Sequence, residues 1–582
     1  MLPRQYFRHN VNTTAVTTAR LCRSPRQTPP IARFYSSGGS SGEANKTSPP
    51  SPPPPSWSSQ ALAPLAAGAA GLAVGLYYQK RRANLGGGTK QKNPSSESRD
   101  HQDIQGSISN NITTTDTTTT ATTPNITTDV PDLNKLGLSD QIAYAPTPTS
   151  EDVTRQLNEG AWSCRPGPET GTAPAVGRYD GAQLGSNSPC EDAYLHGRFS
   201  SPLGSSGSDW MAWAVFDGHC GWQMSNLLTR ELMPSVRRAL GDVAAAKSTG
   251  TNGDDEDAIH DALKTAFTTL DDAVVQTAAA TIESDSLSFP EKARRLEAAY
   301  AGACALLALF DPATRTLRVA STGDCRAVLG SRKASPLSSS SSSSPPTTTE
   351  DGDNSSNSSN SSSNWEATDL TVDHTGANPS EIARLQAQFP EEPKLVSGGR
   401  VWGMQPSRTF GDGMWKWTAK LKRTLRQHYN GLSLPSAARY KEYKEGPYLT
   451  AEPAVTTTAR VPDGGFLILA TDGLWDTMTS KQAVELVGRW LDWKQQQQQQ
   501  AGEKPSSSPS TSDFGPRILG WKKSCQYEES KTTVQDENAA VHLIRNGLGG
   551  ADDEMIRGAL TFRYPNSRDI RDDITVQVVF FK

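Results

Sequence analysis

Residues 210–223 read WMAWAVFDGHCGWQ, an apolar run of strand length that stops abruptly at Asp217-Gly218-His219-Cys220. Two chemistries compete for such an end: His219-Cys220 could open a cysteine-nucleophile loop, and Asp217-Gly218 could be half of a metal site. The cysteine route needs an activating positive charge, supplied by an arginine after a five-residue phosphate-binding loop. That position is Asn226, and the intervening GWQMS runs into a helical pattern. Cys220 therefore reads as a small packing residue, and attention passes to the acids.

The ending recurs. FLILATDG at 466–473 is again an apolar strand followed by Asp-Gly, which marks Asp472. Asp324 caps the turn in STGDCR, Asp572 and Asp573 precede the strand ITVQVVFF, and Glu191 and Asp192 lie in NSPCEDAY. Any one of these alone is an ordinary turn acid or backbone cap. Together they place carboxylates that are distant in sequence at strand ends, and adjacent strand ends can converge on one edge. An oxygen-rich cluster of that kind suits hard cations such as Mg²⁺ or Mn²⁺. Glycine after Asp217 removes a side chain, so the carbonyl of Gly218 is expected to reach an ion. Two ions about 3.5–4 Å apart can lower the pKa of a bridging water and neutralise a phosphoryl group, letting the water attack in line. His219, two residues beyond Asp217, is placed to protonate the departing oxygen; a structural histidine is the alternative.

From about residue 150, β-rich runs alternate with amphipathic helices. Strands are expected at 210–216, 316–321, 327–330, 465–470 and 574–581, the last with period-2 alternation. Helical spacing links Met224, Leu227, Leu228 and Leu232, and again Ile259, Leu263, Phe267, Leu270 and Val274. Further helices are expected from Asn378-Pro379, over 481–491, and over 537–550 with a glycine stop. Strands joined by tight turns, as at 321–326, favour antiparallel sheets with helices packed outside. Neither a dinucleotide-binding glycine fingerprint nor a Walker loop is present.

Much of the remaining chain lacks the apolar content to form a core. The whole is 582 residues and 62.5 kDa, with Ser, Thr, Pro, Asn or Gln tracts at 36–56, 86–130, 334–364 and 495–513. A net charge of -4 gives no global basic field, so nucleic acid is not an expected partner. Seven cysteines without a Cys-x-x-Cys pair do not spell a disulfide framework or a zinc site. Before Glu43 the chain holds six arginines and no acid, the composition of a mitochondrial presequence, with processing expected near residue 35. ALAPLAAGAAGLAVGLYY at 61–78 is uncharged and followed by Lys80, Arg81 and Arg82, so an inner-membrane anchor is expected there. Its flanking charge leaves the matrix and intermembrane-space sides both open. Residues 36–60 and 79–150 are expected as disordered linkers, and 151–582 as one folded domain with insertions at 334–364 and 495–513.

The ordered series NSPCEDAY, AVFDGHCG, YAGACALLAL, STGDCRAVLG, LTVDHTGANPSEIARL, SRTFGD, LILATDGLWDTM and RDDITVQVV resembles the metal-dependent serine/threonine protein phosphatases of type 2C over about residues 175–582. The resemblance implies an α+β fold, a four-layer α-β-β-α sandwich of two antiparallel sheets flanked by helices. It implies two Mg²⁺ or Mn²⁺ ions, with Asp217 bridging both. Glu191 and the Gly218 carbonyl would complete one, Asp472 and Asp572 would hold the other, and Asp324 would serve a weaker third. Asp192 would orient waters and His219 would be the general acid. Within the family, PYLTAEPAVT, SRTFGDGMWKW and DENAAVHLIRNGLGG resemble the pyruvate dehydrogenase phosphatase branch, implying the phosphorylated decarboxylase subunit as substrate and the lipoyl-bearing core as a partner. Asn187 stands where most of the family has a phosphate-binding arginine, so the group that grips phosphate is left open. The rivals are a phosphatase of the same family with other substrates in the intermembrane space, and a non-catalytic phosphoprotein-binding module.

Overall fold

A computed structural model of the chain describes residues 148–167, 174–202, 209–248, 255–333, 364–428, 446–499 and 525–582. The presequence, the 36–60 linker, the 61–78 anchor and all but the edges of the 79–150 linker and of the 334–364 and 495–513 insertions lie outside these residues. Among the described residues no helix is long and apolar enough to cross a membrane.

Two antiparallel sheets face each other. The first contains β1 (Trp162–Cys164), β2 (Val176–Leu184), β7 (Arg326–Arg332), β8 (Trp365–Asp369), β13 (Phe466–Ala470) and β14 (Ile574–Phe581), in the spatial order β1-β2-β14-β13-β7-β8. The second contains β3 (Ala193–Phe199), β4 (Trp210–His219), β5 (Gly302–Asp311), β6 (Thr316–Thr322) and β12 (Ala454–Thr458), ordered β12-β6-β5-β4-β3. A short strand, β11 (Phe410–Gly411), adds to β5, and β9 (Val396–Ser397) with β10 (Arg400–Val401) forms a separate hairpin.

The alternation of β4 explains why its sequence looks uniformly apolar. Met211, Trp213 and Val215 pack between the sheets, while Ala212, Ala214 and Phe216 pack under the helices Gln223–Ser248 and Asp255–Val275. On β5, Leu306, Ala308 and Phe310 face the other sheet, and Ala305, Leu307 and Leu309 face the helices. With both faces buried, no polar face remains to betray the period. Each such Leu or Phe contributes about 1.5–3 kcal/mol of transfer free energy. The first sheet is covered outside by the helices Ser150–Glu159, Ser480–Gln499, Ala539–Gly547 and Asp553–Thr561. The four-layer α-β-β-α order is the expected one.

Three local differences have physical causes. The 481–491 helix continues through the glutamine run to Gln499, because glutamine propagates a helix well. The helix expected over 537–550 spans Ala539–Gly547: Asn538 caps it through the amides of Ala540 and Val541, and Gly549 and Gly550 take the positive φ that ends it. The polar positions of β14 do not face water. Thr575 and Gln577 are buried, and Gln577 Nε2 crosses to the other sheet to donate to the Ala214 carbonyl at 2.7 Å.

Candidate active site

The acids meet at the end of the sandwich where the chain passes between sheets. The β2–β3 connection carries Glu191 and Asp192, and the β6–β7 turn carries Asp324; both cross from one sheet to the other. The β3–β4 register pairs Ala193 with Phe216, so one step further sets Asp192 against Asp217. The β13–β7 register pairs Ala470 with Arg326, and two steps further Asp472 lies against Asp324. Carboxylate oxygens of Asp217, Asp324 and Asp472 all lie within 4.8 Å of one another. The Asp472 amide approaches Asp217 Oδ2 at 3.4 Å across the gap between sheets.

Asp192 flanks this group. Its Oδ2 accepts from Thr471 Oγ1 at 3.0 Å and Thr575 Oγ1 at 2.7 Å, one threonine from each of two neighbouring strand ends. Glu191 and Asp572 lie outside the tight trio. Glu191 Oε2 accepts from Asn187 Nδ2 at 3.1 Å, and Asp572 pairs with Arg568 and accepts the Asp573 amide at 2.8 Å. The glycines of the two Asp-Gly pairs serve close approach. A Cβ on Gly218 would sit 2.1 Å from the Glu191 carbonyl oxygen, and one on Gly473 would sit 2.1 Å from that of Asp573. Each glycine thus lets the next acid-bearing segment close onto the site.

Asp573, beside Asp572, does something different. Its carboxylate accepts from the amides of Ser186, Asn187 and Glu191 and from Asn187 Nδ2, at 2.5–2.9 Å. It holds the loop that presents Glu191. Burial works to raise its pKa, but these donors outweigh burial and lower it.

Asp217 and Asp324 have the opposite electrostatics. Burial, then the charges of Asp472, Asp192 and Asp324, raise the Asp217 carboxyl well above its usual range. Asp192 is raised in the same way by burial and Asp573, against the two threonines. Burial also raises Asp324, although the Cys304 thiol donates to it at 3.1 Å. Burial and Asp573 raise Glu191, against the pull of the Gly221 backbone, Arg568 and His219. Among the described residues Asp192 Oδ1 and Asp412 Oδ1 are buried without a hydrogen-bond partner. Crowded carboxylates with an orphaned buried oxygen and only oxygen donors match the needs of hard divalent cations.

Asp412, in the quoted SRTFGD segment, had no role assigned from sequence. It is fully buried, adopts a left-handed conformation at φ 48°, and its Oδ2 meets His219 Nε2 at 2.7 Å. Burial would lower the His219 pKa, but Asp412 reverses the effect and raises it, favouring the imidazolium. Its only sequence signal is Asp-Gly after a small β-rich run, 193 residues from its partner. Cys220, also left-handed at φ 58°, has its thiol pushed up to about 12 by burial and by Asp412 and Glu191. That removes the thiolate the cysteine route requires.

The chain is similar in sequence to proteins already known. The family profile of protein phosphatase 2C matches residues 181–505. A protein phosphatase 2C homolog of Schizosaccharomyces pombe is 34% identical over 406 residues, covering 69% of this chain and 80% of its own. The mitochondrial [pyruvate dehydrogenase [acetyl-transferring]]-phosphatase 1 of Saccharomyces cerevisiae is 29% identical over 425 residues, covering 69% and 68%. The human enzyme of that name is 32% identical over 299 residues, covering 49% of each chain. With its matched profile, its sandwich and its ring of strand-end acids, this chain belongs to the protein phosphatase 2C family.

Proposed function

We propose that the chain is a divalent-cation-dependent phosphoserine/phosphothreonine phosphatase of mitochondria, acting on the phosphorylated decarboxylase subunit of the pyruvate dehydrogenase complex. The observation that carries the hydrolytic reading is the convergence of Asp217, Asp324 and Asp472, with Asp192 beside them. Asp217, Glu191 and the Gly218 carbonyl would hold one ion and Asp472 with Asp572 a second; Asp324 would serve a third. When bound, Mg²⁺ or Mn²⁺ supplies Lewis acidity, which activates water and offsets phosphoryl charge.

The residues themselves divide the remaining work. Asp192, fixed by Thr471 and Thr575, presents its free Oδ1 as an acceptor that orients water. Asp573 holds Glu191 in place through the 186–191 loop. Hydrolysis joins a water oxygen to phosphorus and breaks the bond to the seryl oxygen, which must gain a proton. His219, whose imidazolium is favoured by its contact with Asp412, is placed to donate it. A non-catalytic phosphoprotein-binding module on this fold has no use for converged acids beside a histidine paired with a buried aspartate, so the enzymatic reading is favoured.

The substrate reading is supported by the names of the yeast and human relatives and by the presequence composition. The lipoyl-bearing core of the complex is the expected docking partner. The test is phosphate release from a phosphoserine peptide by the purified chain: Mn²⁺ should sustain it and chelation should stop it. Persistence in excess chelator would refute the metal-dependent reading. For the substrate, mitochondria lacking this protein should accumulate phosphorylated decarboxylase subunit, and an unchanged level would point elsewhere. Digestion of the domain by protease added to mitoplasts would move it to the intermembrane space and exclude that substrate.

A further inference from the structure

A dianionic phosphoryl group approaching a ring of carboxylates needs a cation of the protein's own besides any bound ion, and Asn187 cannot supply one. Asn187 is uncharged, and its amide hydrogens are committed to Glu191 Oε2 and Asp573 Oδ2 at 3.1 and 2.9 Å. The arginines around the site divide sharply. Arg326 is locked onto Asp373 at 2.7 Å and stacked over Trp475. Arg571 points into the fold, donating to the carbonyls of Ala559 and Gly185. Arg400 bonds the Gly403 carbonyl and Gln405.

Arg568 differs from all three. It lies on the 3-10 turn Asn566–Asp569, which is fastened to the 185–187 loop by the Ser567 hydroxyl on the Ser186 carbonyl. Its side chain is one-third exposed, and among the described residues its polar partner is the Asp572 carboxylate. Its positive charge works against the raised pKa values of Glu191 and Cys220. The guanidinium is therefore tied to the loop that carries Asn187 and Glu191, and paired with a carboxylate that divalent ions would claim.

We propose that Arg568 is the substrate-binding residue that grips the phosphoryl oxygens, releasing Asp572 to the cations and turning its planar fork to the phosphate. The proposal rests on the phosphatase reading above. Guanidinium suits this exchange because it presents paired N–H donors that match two phosphoryl oxygens as well as two carboxylate oxygens. Holding phosphate from the loop side, it would place the seryl oxygen toward His219.

The test compares the full-length wild type, Arg568→Ala and Arg568→Lys at saturating Mn²⁺. It reads KM and kcat for a phosphoserine peptide, inhibition by inorganic phosphate, and the half-saturating Mn²⁺ concentration. Arg568→Ala should raise KM and the phosphate inhibition constant about 10- to 100-fold, with kcat changed less and the Mn²⁺ requirement not increased. Arg568→Lys should fall between the two, since it keeps charge but loses the fork, and it carries the test should the alanine variant not fold. Unchanged phosphate inhibition would overturn the proposal, as would a raised Mn²⁺ requirement as the sole defect, which would leave Arg568 a mere prop for Asp572. If the wild type hydrolyses no phosphopeptide, the phosphatase reading fails, and calorimetric titration of inorganic phosphate into the Mn²⁺-loaded proteins still decides. Equal affinity in wild type and variant would then reject Arg568.

Discussion

Acids of two kinds sit side by side at one end of this sandwich, and they are built on opposite principles. Asp573 is saturated: three backbone amides and the Asn187 side chain donate to it, and its pKa is lowered. Asp217, Asp324 and Asp472 are crowded against one another, and burial with mutual repulsion raises Asp217 and Asp324. A carboxylate satisfied by the protein's own donors holds the fold together. Carboxylates left facing each other are held apart from their ideal environment by the fold, and a cation would relieve them. Burial alone does not separate the two kinds, since Asp324 and Asp573 are both buried.

The contrast can be broken most forcefully at Asp217. Asp217→Asn should cut phosphopeptide hydrolysis by more than about 100-fold, by analogy with the cost of disturbing groups around a metal site. The same change should raise the melting temperature of the chelator-treated protein, because it removes one of the repelling charges. A simultaneous loss of activity and of metal-free stability would contradict the assignment of this group as a cation site. At Asp573 the signs reverse. Asp573→Ala orphans several buried amides and should cost about 3 kcal/mol in urea unfolding. Activity should then fall through a displaced Glu191, with a weaker Mn²⁺ response.

The pH dependence sharpens the same comparison. Folding raises Asp217, Asp192 and Asp324, so above about pH 4 the metal-free fold binds more protons than the unfolded chain and loses stability as pH rises. Asp573, lowered by folding, contributes stability that is complete above about pH 4 and is lost as pH falls through its own value. His219, raised by Asp412, contributes stability below about pH 6.5 that disappears as pH rises through its folded pKa. Urea midpoints of the metal-free wild type between pH 5 and 8 should therefore decline. Asp217→Asn should flatten that slope and Asp573→Ala should not. The smallest effect is expected at Cys220: its thiol, pushed up to about 12, is not a nucleophile, and Cys220→Ala should keep most of the activity. A collapse of turnover in a folded Cys220→Ala protein would reopen the covalent route.

What could be read from the sequence was what local pattern carries. Asp217 and Asp472 announce themselves because each ends an apolar strand and is followed by glycine; the first strand runs on to His219 and the second begins at Phe466 instead of Gly465. Asp412 was invisible as a functional group, because its contact with His219 depends on a left-handed turn and on β11 joining β5. Thr575 and Gln577 show in the sequence only as an alternation, which tells which residues share a side but not whether that side meets water. Here it meets the other sheet, and Thr575 orders Asp192. The anchoring role of Asp573 likewise requires knowing that the 186–191 loop returns to it across nearly the whole folded chain.

The central claim is that the strand-end acids hold paired divalent cations. Anomalous scattering from crystals grown with Mn²⁺ tests it most directly. Two peaks should appear in the pocket, bridged by Asp217 and bounded by Glu191, Asp472 and Asp572. A pocket without anomalous density at saturating Mn²⁺, in crystals of protein that hydrolyses phosphopeptide, would contradict the account.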